Sequence, residues 1–211
     1  MSLVRRLFLM IVLAAAPLGL GTLGLGSAAF AADMPPVTLA DRVQGRADAP
    51  VTLVEYASFT CPHCAAWHKD VYPTIKSRFI DTGRVRMVFR DLPTPPQDVA
   101  TAAALIGRCA APGRFFAVAD SLFDGQAALA TGSRTWFSDA IAASGRTREQ
   151  VQACFSLPAT QASLNADIRA GMAAGVQGTP TFFVNGTTVT DHSIEGLSAA
   201  IEAARTPGRS L

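Results

Sequence analysis

Residues 33–50 are polar and turn-rich, closing in Asp48-Ala49-Pro50, and the almost unbroken apolar run at 51–58 then predicts a buried strand. Over residues 62–79 apolar positions return every four residues, at Trp67, Val71 and Ile75, which predicts a helix, kinked where Pro73 removes an N–H. A second strand is expected at 85–89. Strands joined through a helix in this way run parallel with a right-handed crossover, so the opening half reads as a βαβ unit. Residues 95–175 are Ala-rich and helical in pattern, with breaks at Pro112-Gly113, Gly132, Gly145 and Pro158. Two short strands, Thr181–Val184 and Thr187–Val189, flank Asn185-Gly186, a pair that tolerates the positive φ values of a tight type I′ turn. An amphipathic helix at 193–204 ends the pattern. The expected class is α/β, with a βαβ half and a ββα half separated by a helical insertion.

Composition changes this picture only at the N-terminus. Hydrophobic residues make up 49% of the chain and charged residues 16%, a balance inflated by the apolar run at 7–20 that follows Arg5 and Arg6. Ala29-Phe30-Ala31 supplies the small-x-small pattern of a signal-peptidase site, so residues 1–31 are expected to be a signal peptide cleaved after Ala31, leaving 32–211 as the domain. An uncleaved anchor is the rival reading, since 7–32 is long enough to cross a bilayer, but Pro17 and four nearby glycines favour cleavage. Arg5-Arg6 also resembles a twin-arginine signal, and both export routes stay open. Residues 1–31 hold two arginines and no acid, so their removal takes the formal charge from +2 to zero. With no basic cluster and no phosphate-cradling glycine loop, nucleic acid is not an expected partner. Four cysteines in an exported chain sit where disulfides persist, and a periplasmic location is expected.

Cys61-Pro62-His63-Cys64 stands between the first predicted strand and its helix. Three residues apart on a helical turn, the two thiols are close enough to bond. At the helix N-terminus Cys61 faces unsatisfied N–H donors and the positive end of the dipole, both favouring thiolate. Pro62 suits the first helical position, and a protonated His63 would add positive charge beside the sulfur. A stabilised thiolate leaves readily, which suits an oxidised pair that passes its disulfide on. The same spacing serves zinc, but neither a second such pair nor a spaced histidine pair accompanies it, so no metal is expected. Glu55 interrupts the apolar strand, where a carboxylate is expensive to bury; it is either a solvent-facing edge residue or a functional acid. Arg84, Arg86 and Arg90 are its candidate partners, and His68 and His192 read as surface residues.

Cys-Pro-His-Cys, the Gly-Thr-Pro-Thr-Phe-Phe-Val-Asn-Gly segment at 178–186 and the helical stretch between them resemble the DsbA-type thiol:disulfide oxidoreductases. The resemblance covers nearly all of residues 32–211 and implies a thioredoxin-like fold with an inserted helical subdomain. It implies that Pro180 is a cis-proline beside the redox pair, where proline offers no N–H, while the backbone at Thr179 pairs with an extended substrate strand. It makes Glu55 the buried acid beneath the disulfide, able to move the proton of Cys64. Some proteins of this type carry a second disulfide in the insertion; Cys109 and Cys154 are the pair available, with buried free thiols as the alternative.

The activity implied is oxidation of cysteines in reduced exported proteins, with no bound cofactor and re-oxidation by a membrane quinone-linked partner of the DsbB kind. A reductase or isomerase of the same fold is the alternative, although the stretch before residue 51 is short for the separate dimerisation domain of isomerases, and a monomer is expected. A non-catalytic module that holds extended peptides beside Pro180 is the alternative of a different class. Keeping both Cys61 and Cys64 argues against it.

Overall fold

The computed structural model describes residues 34–132 and 135–205; the expected signal peptide lies outside them. Among the described residues no helix is long and apolar enough to cross a membrane.

A five-stranded sheet forms the centre, in the order β1 (Arg42–Gln44), β3 (Val85–Asp91), β2 (Val51–Ala57), β4 (Thr181–Val184), β5 (Thr187–Val189). Strands β2 and β3 are parallel and every other pairing is antiparallel. All seven residues of β2 are buried, because helices cover both faces of the sheet there, and this is why its sequence reads as a continuous apolar run. Alternation sends Val54 and Tyr56 to one face, with Val88 and Phe183, and Val51, Leu53, Glu55 and Ala57 to the other. The turn between β4 and β5 has φ of 46° at Asn185 and 88° at Gly186, as the Asn-Gly signal requires. The Asn185 side chain also accepts from the Thr52 N–H at 2.8 Å, fastening the hairpin to β2.

The helix expected at 62–79 is divided. It runs as α1 (Pro62–Asp70), restarts as α2 (Tyr72–Ile75) with Pro73 in its first turn, and widens into a π-turn at Lys76–Ile80. Proline is harmless in a first turn and disruptive in a helix interior, so the chain restarts where the sequence suggested a kink. The insertion holds α3 (Gln97–Arg108), α4 (Phe115–Asp124), α5 (Ala127–Ala130), α6 (Thr135–Ala143), α7 (Arg148–Phe155) and α8 (Pro158–Ala173), broken at the glycines and prolines named above. Helix α9 (Ile194–Arg205) closes the fold against α2 and β2.

Strand β1 is a finding that the sequence did not suggest: residues 33–50 read as polar and turn-rich. Its three residues pair with β3 at the sheet edge, where Arg42, Val43 and Gln44 need no apolar pattern. Arg90 of β3 holds the segment before it, donating to both carboxylate oxygens of Asp41 at 2.8 and 3.1 Å and to the carbonyls of Pro35 and Pro36. Close by, Arg108 joins α3 to the sheet through Asp91 at 2.8 Å and to α8 through Asp167, which lines one cleft with Arg90 and Asp41.

Candidate active site

The end of β2 and the start of α1 are held by a clasp of small polar side chains. Ser58 Oγ accepts from the Thr94 N–H at 3.0 Å, and Thr60 Oγ1 donates to the Thr94 carbonyl at 3.0 Å. From the insertion Gln126 donates Nε2 to the carbonyls of Phe59 at 2.8 Å and Cys61 at 3.0 Å. These residues carry no motif, and sequence reasoning missed all of them.

Cys61 is the cap residue of α1, extended at φ −79° and ψ 117°, and Pro62 takes the first helical position. Cys64, in the first turn of α1, is buried completely, while Cys61 stays 8% exposed. This difference in placement separates the two thiols chemically. Cys61 is lowered to about 5, first by the hydrogen bond from the Cys64 thiol and further by the backbone N–H groups of Cys64 and His63, against the opposing effect of its own burial. Burial pushes Cys64 far upward, reinforced by its donation to Cys61 and by the nearby Glu55 carboxylate. His63 is exposed, and its contribution to the Cys61 sulfur comes through its backbone N–H, where the sequence suggested its ring.

Across from α1, the Thr179-Pro180 peptide bond is cis, and the Cys61 thiol donates to the Thr179 carbonyl at 3.2 Å. Glu55 sits in the middle of β2 between Phe89 and Phe182, wholly buried on the face that α1 covers, so the edge-residue reading does not hold. None of the three arginines considered for it is its partner: Arg84 pairs with Glu202, Arg86 donates to Thr52 and Arg90 to Asp41. The group beside it is His68, whose Nε2 lies 3.0 Å from both carboxylate oxygens. His68 is therefore not a surface residue. It is 8% exposed, on the buried face of α1 four residues after Cys64, a spacing that shares a helix face and was the available signal. His192 is half-buried rather than exposed, its carbonyl accepting from Trp67 Nε1 at 3.0 Å.

Cys109, at the end of α3, and Cys154 in α7 are joined, with Cα atoms 5.8 Å apart.

A cysteine pair at the first turn of a helix, faced by a cis-proline loop from the same sheet, places the molecule among thioredoxin-fold proteins. Residues 38–203 match the family model described as Thioredoxin, and the chain belongs to that family. A Rickettsia bellii protein, provisionally named a protein-disulfide oxidoreductase, is 32% identical over 168 residues, which cover 78% of this chain and 64% of that protein. The match thus spans less than two thirds of that relative's length. Among solved structures, oxidised BdbD from Bacillus subtilis superposes with a TM-score of 0.72 at 22% identity, over 82% of this chain and 97% of that one. Alpha-DsbA1 of Wolbachia pipientis superposes at 0.68 and 24% identity, over 81% and 92%. These likenesses show a shared DsbA-like fold.

Proposed function

We propose that the protein is an exported thiol:disulfide oxidoreductase that donates a Cys61–Cys64 disulfide to reduced cysteines of other exported proteins. The observation that carries this reading is the asymmetry of the pair: one sulfur at a helix N-terminus, lowered to about 5, the other wholly buried and pushed upward. A substrate thiolate attacks Cys61 Sγ, the Cys61–Cys64 bond breaks, and Cys64 leaves with the electron pair. Glu55 supplies the proton that makes the buried Cys64 a neutral thiol. The second substrate thiolate then attacks the substrate sulfur of the mixed disulfide, and Cys61 leaves as the stabilised thiolate. The cis Thr179-Pro180 loop presents the Thr179 backbone beside Cys61 to an extended substrate strand. Re-oxidation falls to a quinone-linked membrane partner of the DsbB kind, and Cys109–Cys154 serves as a structural bond.

Insulin reduction, with Cys61→Ser as control, tests the activity, and the reduction potential of the Cys61–Cys64 pair tests its direction. A strongly oxidising potential is expected. A potential as reducing as that of thioredoxin, about −270 mV, would replace the donor reading with a reductase. Full activity in Cys61→Ser would remove the assignment of the nucleophile.

A further inference from the structure

We propose that His68 relays protons between the buried Glu55–Cys64 couple and an open cleft bordered by α1, α2 and α4. The inference rests on the oxidoreductase reading above and adds the route by which its proton enters and leaves.

Glu55 and Cys64 are both wholly buried, so a proton consumed at Cys64 has to be replaced through other groups. His68 is placed for this on both sides. Its Nε2 faces both oxygens of Glu55 at 3.0 Å, while its Nδ1 is buried with no hydrogen-bond partner among the described residues. A purely structural histidine would be expected to satisfy both ring nitrogens, so the free nitrogen calls for a reason. His68 also lines a cleft of about 250 Å³ with Tyr72, Lys76, Asp120 and Asp124. The ring is fixed between the two sides: it stacks on Phe123 with centroids 4.0 Å apart and planes 18° apart, and meets Trp67 edge-on at 5.0 Å. The charged and titratable groups around it are Glu55 from β2, Tyr72 and Lys76 from the α2 segment, and Asp120 and Asp124 from α4. Asp120 lies within electrostatic reach of the ring.

The proton count closes over a full cycle. When the disulfide is attacked, Cys64 leaves as thiolate and takes the proton of Glu55. His68 gives its Nε2 proton to Glu55 and takes one at Nδ1 from a water that enters from the cleft as the residues around the ring move, since Nδ1 is covered at rest. On re-oxidation the cleft removes the Nδ1 proton, Nε2 takes the proton of Glu55, and the freed carboxylate takes that of Cys64 as its sulfur attacks. The histidine returns to its first tautomer without turning its ring.

The test is the rate of exchange with glutathione, in both directions, for the full chain and two variants. His68→Gln keeps a donor for Glu55 but has no second ring nitrogen; His68→Ala opens space from the cleft to Glu55. Both should slow oxidation and reduction by the same factor, at least about tenfold, since a relay lowers a barrier without moving the equilibrium. Cys61 alkylation should stay at the wild-type rate, and added imidazole should restore His68→Ala. Wild-type exchange in His68→Gln overturns the relay, as does a folded His68→Ala that imidazole cannot restore. Failure of both variants to fold would make His68 structural and overturn it equally. A wild-type protein that exchanges nothing with glutathione would instead defeat the oxidoreductase reading itself.

Discussion

Gln126 donates to the carbonyl of Cys61 across the boundary between the helical insertion and the sheet, at 3.0 Å, and to that of Phe59 at 2.8 Å. The carbonyl of Cys61 already accepts from Ala65 N–H within the helix, so the side chain fixes the approach of the loop rather than closing an open valence. Gln126→Ala should cost about 1 to 3 kcal/mol, because the Phe59 carbonyl loses a donor in a half-buried place. It should also raise the pH midpoint of Cys61 alkylation as the sulfur drifts from the helix amides. Gln126→Glu should do worse on both counts, since a carboxylate faces two carbonyls. Iodoacetamide labelling across pH, beside urea melts, checks both; an unchanged midpoint in a destabilised Gln126→Ala would confine the residue to stability.

Alkylation of the reduced wild-type protein should label Cys61 first, with a midpoint near the lowered value of about 5. A folded thiol held below its unfolded value of about 8.5 gives the reduced protein stability that is complete above the unfolded value and disappears as pH falls through the folded one. At pH 7 most of it remains, on the order of 1 to 2 kcal/mol after allowance for solvent screening. Cys64 is displaced the other way, so the reduced form loses stability again as pH climbs past the ordinary thiol range. A disulfide across Cys61–Cys64 closes too small a loop to restrain the unfolded chain much. The reduced protein should therefore melt higher than the oxidised one at pH 7, by a margin that shrinks towards pH 5. The opposite order at pH 7 would point to a reductase.

Breaking Cys109–Cys154 should cost about 2 to 4 kcal/mol, since the bond closes a separation of 45 residues. The Cys109→Ser/Cys154→Ser double variant, melted with the first pair reduced, provides the measurement. Equal melting of the variant and the parent would show that the bond adds no stability.

Arg90→Met should cost about 3 to 5 kcal/mol, because it leaves the buried Asp41 carboxylate unpaired. The same change releases the carbonyls of Pro35 and Pro36, so protease cleavage before β1 should appear at concentrations that leave the parent intact. Adding Asp41→Leu should recover part of the stability but not the protection. Additive losses in the double variant would show that the two residues do not act together.

These expectations also mark what the sequence could and could not tell. Strand β2 was legible because burial on both faces writes itself as an apolar run, and the β4–β5 turn because only certain residues accept positive φ there. Cys61 and Cys64 were legible by type, spacing and position at a helix start. Strand β1 was not, since an edge strand of three residues held by Arg90 has no period to show. The sequence offers arginines on and just before the neighbouring strand as partners for Glu55, whereas helix periodicity places His68 on the face of Cys64. Gln126 had no local signal at all, because its role arises from a packing between segments that contain no shared pattern.

The sulfur of Cys61 and the carbonyl of Thr179 are 118 positions apart along the chain, and Thr52 and Asn185 are 133 apart. A chain that appears N-terminus first thus presents the reactive cysteine long before the strand that completes its surroundings. Until β4 arrives, one edge of the central strand β2 is unpaired, exposed to any other extended segment. The strand that seals this edge of β2 and helps to enclose the thiol is therefore made long after the thiol itself. A chain stopped short of residue 179 would carry the nucleophile with neither its neighbour loop nor a closed edge, a combination prone to mispairing with thiols and strands alike.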